Sequence, residues 1–337
     1  MSTPTVTVVV PTLAADSALT ECLRSLEAQS YGELEVVVVD NSGLGRARGL
    51  LPEGCRAHVI ENRMNAGFGG AVNQGIQWSH APYVATLNDD AVAHPDWIAA
   101  LVRAMEARPE VGLCASSVRL HDGAGLDSAG MLICADASST QRGHGADPGL
   151  YSCTEEALLP SGSAAMYRRT MLAQTGGFDA DFFLYCEDTD LGLRALWAGW
   201  RCLYVADALV EHRYSHSAGR ASSLKAYYVE RNRVWVAMKN FPLRMLLAVP
   251  FVSMARYFWH VAMLLQGRGK AAEFAGQGGG AAKLAWLVLR AHLALLRALP
   301  ALLTKRRGIR SGARIGAAEF ARKLRRHSVS AKQVAAH

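Results

Sequence analysis

Val6, Thr7, Val8, Val9 and Val10 form an unbroken β-branched run closed by Pro4 and Pro11. A run without polar alternation predicts a strand buried on both faces. Leu19, Leu23 and Leu26 then recur at helical spacing until Gly32, and residues 34–39 form a second apolar run ending at Asp40, Asn41 and Ser42. A strand, helix and strand of this length make a right-handed parallel crossover, which commits the first part of the chain to an α/β sheet. The alternation continues through a short strand at 59–61, a Gly-rich helix start over 66–79, a fourth strand at 83–87 and a helix from Pro95 to about Ala107. Ligands of open α/β sheets collect at the carboxyl ends of the strands. Asp40 and the Asn88-Asp89-Asp90 triplet both fall at such ends.

From 111 to 167 the pattern is short, strand-like and rich in glycine, as in the mixed half of one composite domain. A helix is predicted over 187–197, with its acids in the first turn, and a strand over 201–205. After residue 225 the pattern turns to long helices. The segments 245–265 and 284–303 are strongly apolar, but the first contains Pro250, Arg256 and His260 and the second Arg290, His292 and Arg297. A charge at a bilayer centre costs roughly 2.5–3.5 kcal/mol or more. Arg256 shares a helix face with His260, and Arg290 shares one with Arg297. These spacings favour helices lying in a membrane interface over spanning ones. We therefore divide the chain into residues 1–224, an α/β domain, and 225–337, a basic amphipathic helical region.

Charge supports the division. The rear region holds more than half of the 36 Lys and Arg but only three of the 29 acids, Glu230, Glu273 and Glu319. An acidic front suits cation handling, and a basic rear suits an anionic partner. The basic tail is interleaved with Leu and Ala at helical spacing, which fits an anionic membrane surface better than nucleic acid. Half of the residues are hydrophobic, which argues against disorder. The seven cysteines are scattered and form no Cys-x-x-Cys pair, as expected of a reduced, cytosolic chain without zinc knuckles. The start, Met1-Ser2-Thr3-Pro4, has no basic region before its apolar run and reads as a strand rather than a signal peptide.

Four groups carry candidate chemistry. Asn88 and Asp90, two residues apart at a strand end, could hold Mg²⁺ or Mn²⁺, which bind oxygen and bridge to phosphates; a polar turn capping the next helix would use the same residues. Glu187, Asp188 and Asp190 would favour a helix N-terminus by the dipole alone. The apolar stretch that delivers them, Phe182-Phe183-Leu184-Tyr185-Cys186, would also raise a carboxyl pKa and suit it to act as a general base. Gly67 and Gly69 begin a G-x-G-x-x-G pattern, but Val72 stands at the third glycine, so the block suits a backbone approach to a nucleotide rather than a dinucleotide fingerprint. His212 follows a short strand and could complete a metal shell.

Together these residues resemble the family 2 glycosyltransferases, particularly the bacterial rhamnosyltransferase-like members. The resemblance runs through Val8-Val9-Val10-Pro11-Thr12, Val36-Val37-Val38-Val39-Asp40-Asn41-Ser42, Asn65-Ala66-Gly67-Phe68-Gly69 and Leu87-Asn88-Asp89-Asp90. It continues through Gly162-Ser163-Ala164-Ala165-Met166, Gly176-Gly177-Phe178-Asp179 and the 182–190 block, and more loosely through Tyr227, Tyr228, Arg231, Asn232, Arg233, Lys239 and Asn240. It implies a GT-A fold, with a mixed, mostly parallel central sheet flanked by helices. It also implies an inverting, metal-dependent hexosyltransferase that uses a nucleotide-sugar donor.

By the same resemblance, Pro11, Thr12, Asp40, Asn41, Asn65, Gly67, Asn88 and Asp89 would line the nucleotide pocket. Asp90, Asn88 and His212 would hold the metal, although Asn88 is neutral where many members have Asp. Asp188 would be the catalytic base, Glu187 and Asp190 would orient the acceptor, and Arg231 and Arg213 would meet the diphosphate. Arg142 would belong to a donor-covering loop. The expected donor is dTDP-rhamnose, with UDP-galactofuranose or a UDP-hexose as the alternative. The expected acceptor is a glycan or a polyprenyl-diphosphate-linked glycan of cell-surface polysaccharide synthesis, met on the cytoplasmic face of the plasma membrane. A glycosidase would need no nucleotide pocket, and a non-catalytic scaffold of the same fold would not need Asp90, Asp188 and His212 together.

Overall fold

The computed structural model describes residues 3–336 except 15, 122, 124, 214–221 and 277–279. In chain order the elements are β1 (Val6–Thr12), α1 (Ala18–Glu27), β2 (Leu34–Asp40), β3 (His58–Glu61), α2 (Gly67–Trp78), β4 (Tyr83–Leu87), β5 (Ala91–Ala93) and α3 (Trp97–Glu106). There follow β6 (Val111–Leu120), β7 (Leu126–Ser128), β8 (Met131–Ile133), β9 (Ser139–Gln141), β10 (Glu155–Ala157), β11 (Ala164–Arg168), α4 (Arg169–Thr175), α5 (Glu187–Trp197) and β12 (Arg201–His212). The rest is helical: α6 (Ser223–Asn240), α7 (Leu243–Leu265), α8 (Gly269–Gly276), α9 (Ala281–Ser311), α10 (Ala317–Arg326) and α11 (Ala331–Ala336).

The chain forms two compact units, and composition does not reveal where they divide. The first comprises Met1–Met131, Gln141–Phe183 and Trp200–Ser217; the second comprises Leu132–Thr140, Leu184–Gly199 and Ala218–His337. The first is built on a ten-stranded mixed sheet with β10-β12-β6-β11-β4-β1-β2-β3 along its main path, β5 pairing β12 and β7 pairing β6. The half made by β4, β1, β2 and β3 is parallel, and β11 reverses direction beside β4. β1 shows why its sequence has no polar alternation. Val6, Val8 and Val10 join Leu19, Leu23 and Leu26 of α1 and Trp97, Ile98 and Leu101 of α3 in one core, while Val9 faces α2. A Cβ on Gly75 would lie 2.5 Å from the Val9 methyls, so only glycine lets α2 settle this close to the sheet. β12 is longer than the predicted 201–205 strand. A register shift between Val205 and Leu209 against β6 carries it on to His212.

The second unit is helical. α6 packs against α5 and α9, and α7 against α8 and α11. Trp197 stacks on Phe320 with ring centroids 4.1 Å apart, and the Arg310 guanidinium lies 3.5 Å from the Trp197 centroid. Arg306 and Arg310 donate to the carbonyls of Met238 and Asn240 at the end of α6. These two basic residues thus close a helix C-terminus, where cations offset the dipole, rather than facing an anionic leaflet.

Helices α7 and α9 are long and apolar enough to cross a membrane by length and composition. Arg256 and His260 share a face of α7 as predicted, but that face turns into the protein. Arg256 donates to Asp136 (2.7 Å) and Glu230 (2.7 Å), and lies 3.2 Å from the His260 ring.

Candidate functional site

In the first unit the candidate residues gather at the carboxyl ends of β1, β2, β4 and β12. The Thr12 hydroxyl donates to Asp89 (2.5 Å) and accepts from the Ala14 N–H (2.7 Å). Burial, together with the Asp90 and Asp16 charges, pushes Asp89 up to about 6 despite the Thr12 hydrogen bond. Asp40 is buried, and its two oxygens accept the N–H groups of Ser42 and Ala47 at 2.8 Å each. Burial works against its charge, but the Ser42 hydroxyl and the N–H groups of Ala47, Ser42 and Arg46 hold it below the usual carboxylate range.

Asn41 accepts from Asn62 and the Ala66 N–H and donates to the Gly67 carbonyl, while Asn65 accepts the Gly67 N–H. These amides brace the turn before α2. Gly67 has φ +75°, and a Cβ there would strike the Phe183 backbone, whose carbonyl accepts the Phe68 N–H. The space left by this glycine is therefore filled by the protein's own backbone. Pro11 sits within β1, opposite Val39.

Asp90, Asn88 and His212 come together. His212 Nε2 lies 3.1 Å from Asp90 Oδ1 and 3.2 Å from Asn88 Nδ2. Its other nitrogen, Nδ1, is 2.8 Å from Asp127 Oδ2, and Asp127 is held in turn by His144 at 3.2 Å. Burial disfavours a charged ring, yet the Asp127 and Asp90 carboxylates push His212 up to about 9.

This arrangement fits a divalent cation. With Nδ1–H donated to Asp127, a cation that displaces the Nε2 proton would meet the Nε2 lone pair beside Asp90 and Asn88, and a carboxylate behind a ligating histidine is the usual support for such a site. Asp90 Oδ1 is buried against His212 Nε2 at 3.1 Å, and a cation binding here would take the place of the proton between them. Among the described residues no three His, Cys, Asp or Glu side chains close a cage, so substrate oxygens would complete the shell. Asp127 and His144 escaped sequence reasoning. Asp127 lies 85 residues from His212, and its short strand β7 has no motif. Arg213 extends from the end of β12 to Glu21 (2.5 Å).

Arg142 is a packing residue. It stacks over Tyr151 and Tyr204 at 5.3 and 5.1 Å and donates to the Ala129 carbonyl and Glu155.

In the second unit the acidic cluster opens α5, and the chain reaches it under strain. Phe183, Tyr185 and Cys186 all have φ between +64° and +67°, each costing on the order of 1–2 kcal/mol. Asn232, fully buried on α6, holds the turn by donating to the carbonyls of Leu184 (2.8 Å) and Tyr185 (2.7 Å). The three acids then diverge. Asp190 has no exposed surface, and Arg194, Lys239 and Asn240 take up its oxygens at 2.7–2.9 Å. It anchors α5 to α6 and is sealed from any acceptor. Asp188 is the one acid of the three that reaches solvent, and its Oδ1 accepts the Thr189 N–H at 2.6 Å. Arg231 stacks over Tyr228 and Trp235 at 4.6 and 4.2 Å.

Glu187 is buried, and among the described residues its Oε2 has no hydrogen-bond partner. Burial first, then the Asp188 and Asp190 charges, push it up to about 8. The raised pKa expected of this cluster is thus found on Glu187. Its folded pKa lies above the unfolded value, so the destabilisation it causes is absent at acid pH and grows as pH rises from about 4.5 to 8. Glu187→Gln should therefore gain stability over the parent by about 2–3 kcal/mol between pH 5 and 7. Urea midpoints across that range check this, and a pH-independent difference would sink it.

Residues 4–237 match the family described as glycosyltransferase like family 2. The chain is 29% identical over 248 residues to an N-acetylglucosaminyl-diphospho-decaprenol L-rhamnosyltransferase of Mycobacterium tuberculosis, covering 66% of this chain and 80% of the relative. It is 28% identical over 238 residues to an N-acetylglucosaminyltransferase of Bradyrhizobium diazoefficiens, covering 64% of this chain and 46% of the relative. Among solved structures it resembles GalNAc-T7 with UDP, GalNAc and Mn²⁺ (TM-score 0.60, 14% identity, 75% of this chain but only 51% of that one). It also resembles the mannosyltransferase PcManGT of Pyrobaculum calidifontis in complex with GDP-Man and Mn²⁺ (TM-score 0.50, 19% identity, 92% and 86%). At these identities the structural likenesses establish the fold alone, the GT-A fold.

Proposed function

The chain belongs to glycosyltransferase like family 2, and from that membership we propose that it transfers rhamnose from dTDP-rhamnose, with inversion, to a hydroxyl of a polyprenyl-diphosphate-linked glycan in cell-surface polysaccharide synthesis. The rhamnosyltransferase relative supports the donor and the lipid-linked acceptor. The observation that most supports catalysis is the convergence of Asn88, Asp90 and His212 at strand ends, with Asp127 behind the histidine.

In this reading Pro11, Thr12, Asp40, Asn41, Asn65 and Gly67, with Asn88 and Asp89, shape the nucleotide end of the donor site. Asp90, Asn88 and His212 would hold Mg²⁺ or Mn²⁺. Such a cation, when bound, offsets the charge growing on the nucleoside diphosphate. Arg213 and Arg231 add positive charge for the diphosphate. Asp188, the half-buried acid of its cluster, takes the proton of the acceptor hydroxyl as the oxygen attacks the anomeric carbon. Glu187 stays largely neutral behind it, so the pair does not carry two full charges. The enzyme works on the cytoplasmic face of the membrane, against anionic lipid.

The test is a nucleotide-sugar panel with and without Mn²⁺, scored by nucleotide release. Release of dTDP from dTDP-rhamnose that needs the metal is the expected result. Release of UDP instead would move the assignment to a UDP-hexose or galactofuranose transferase, and no release from any donor would favour a non-catalytic scaffold. Asp127→Asn should weaken Mn²⁺ binding by about 10- to 100-fold, as loss of a carboxylate behind a ligating histidine does elsewhere. Metal titration followed by nucleotide release checks this; unchanged affinity would mean that Asp127 serves packing only.

A further inference from the structure

Helix α7 has two unlike faces. Inward, Ser253 and Arg256 are buried; Arg256 pairs with Asp136 and Glu230, and Arg233 bonds to Glu230, Ser253 and Tyr257. These two arginines and two carboxylates form a closed, neutral lock below the helix. Outward, Leu243, Leu247, Phe251, Met254, Phe258, Val261 and Leu265 follow one another at three- and four-residue steps, each between 56% and 83% exposed. That is one uninterrupted apolar stripe along the full length of the helix, about 34 Å at 1.5 Å per residue. Arg244 at its start and Arg268 just beyond its end are both exposed.

We infer that α7 lies flat in the surface of an anionic lipid bilayer, its stripe sunk in the acyl boundary and its locked face held by the protein. This rests on the lipid-linked acceptor reading and names the surface that meets the lipid. The lock excludes a spanning orientation. Arg256 lies midway along the helix and could reach the bilayer centre only by leaving Asp136 and Glu230 or taking them along. Charge selects the occupant. Neither α7 nor α9 contains an Asp or Glu, and α9 exposes Trp286, Leu289, Leu293 and Leu296 together with Lys283, Arg290 and Arg297. A second copy would bring the same basic surface and be repelled, whereas anionic headgroups complement it.

The test is cosedimentation of the full chain with phosphatidylglycerol-containing vesicles and with pure phosphatidylcholine vesicles. Binding is expected to the first and to fall at least tenfold in Phe251→Glu/Phe258→Glu. Both side chains point out of the fold, and Leu247→Lys/Val261→Lys repeats the test independently. Unchanged binding of both variants would overturn the proposal, as would variants that split a dimer without losing vesicles. Alkaline carbonate should strip the chain from native membranes, and resistance to stripping would mean a spanning helix. The two readings fail separately. A chain that binds vesicles but releases no nucleotide fails only the enzymatic reading; one that glycosylates a detergent-dispersed acceptor yet ignores vesicles fails only this one.

Discussion

Asp188→Asn is expected to lower kcat by about 100- to 10,000-fold, the usual contribution of a positioned general base. Nucleotide and metal affinity should be unchanged. Burial singles this residue out. Of the three acids at the start of α5, Glu187 and Asp190 are buried, while Asp188 is half-buried and keeps part of its surface in solvent. A base must reach the proton it removes, and neither neighbour can. The substitution keeps shape and the hydrogen bond that Asp188 Oδ1 accepts from the Thr189 N–H, so the strained turn before α5 should persist. The measurement is kcat together with donor Kd. A fall in donor affinity with kcat preserved would remove Asp188 from the base role, and loss of both together would point to a collapsed turn. Asn232→Ala provides the contrast, because it removes the brace on Leu184 and Tyr185 while leaving the base in place.

Local order was legible in the sequence where one physical cause dominated. The β-branched run at Val6, Thr7, Val8, Val9 and Val10 needs a two-sided core, and α1, α3 and Gly75 of α2 provide one. The helix from Glu187 to Trp197 follows from its acidic first turn and helical spacing. Asn88 and Asp90 are where a strand end should put them. His212 was read at a strand end as well, though the single long β12 that carries it depends on a register shift that no periodicity reports.

What stayed hidden depends on contacts between distant parts of the chain. Asp127 meets His212 across 85 residues, and Asn232 meets the 184–185 turn across 47 or 48. A polar residue in a short strand or mid-helix gives no sign of what it will bind. The apolar segments misled in the opposite direction. Arg256 reads as part of the polar face of a helix lying in the membrane interface, whereas its partners Asp136 and Glu230 make it the inner anchor of that helix.

Asp190→Ala should cost about 3–5 kcal/mol of stability, the range for removing one partner of a buried ion pair. The carboxylate meets Arg194 of its own helix, and Lys239 and Asn240 of α6. Removing it leaves two cations enclosed with their common partner gone, and both are buried. The effect should appear in denaturant midpoints and in thermal melting, with the slope against urea unchanged. The pH dependence separates this anchor from Glu187. Burial would raise the Asp190 pKa, but Lys239 and Arg194 outweigh it and hold Asp190 at about 2. Its folded pKa is therefore below the unfolded value, so its contribution is complete above about pH 4 and disappears as pH falls towards 2. The gap between parent and Asp190→Ala should narrow by about 2 kcal/mol over that acid window, while Glu187→Gln gains over the parent on the neutral side. If Asp190→Ala kept full stability but lost acceptor affinity, the residue would be an acceptor contact after all and the buried geometry would have to open in solution.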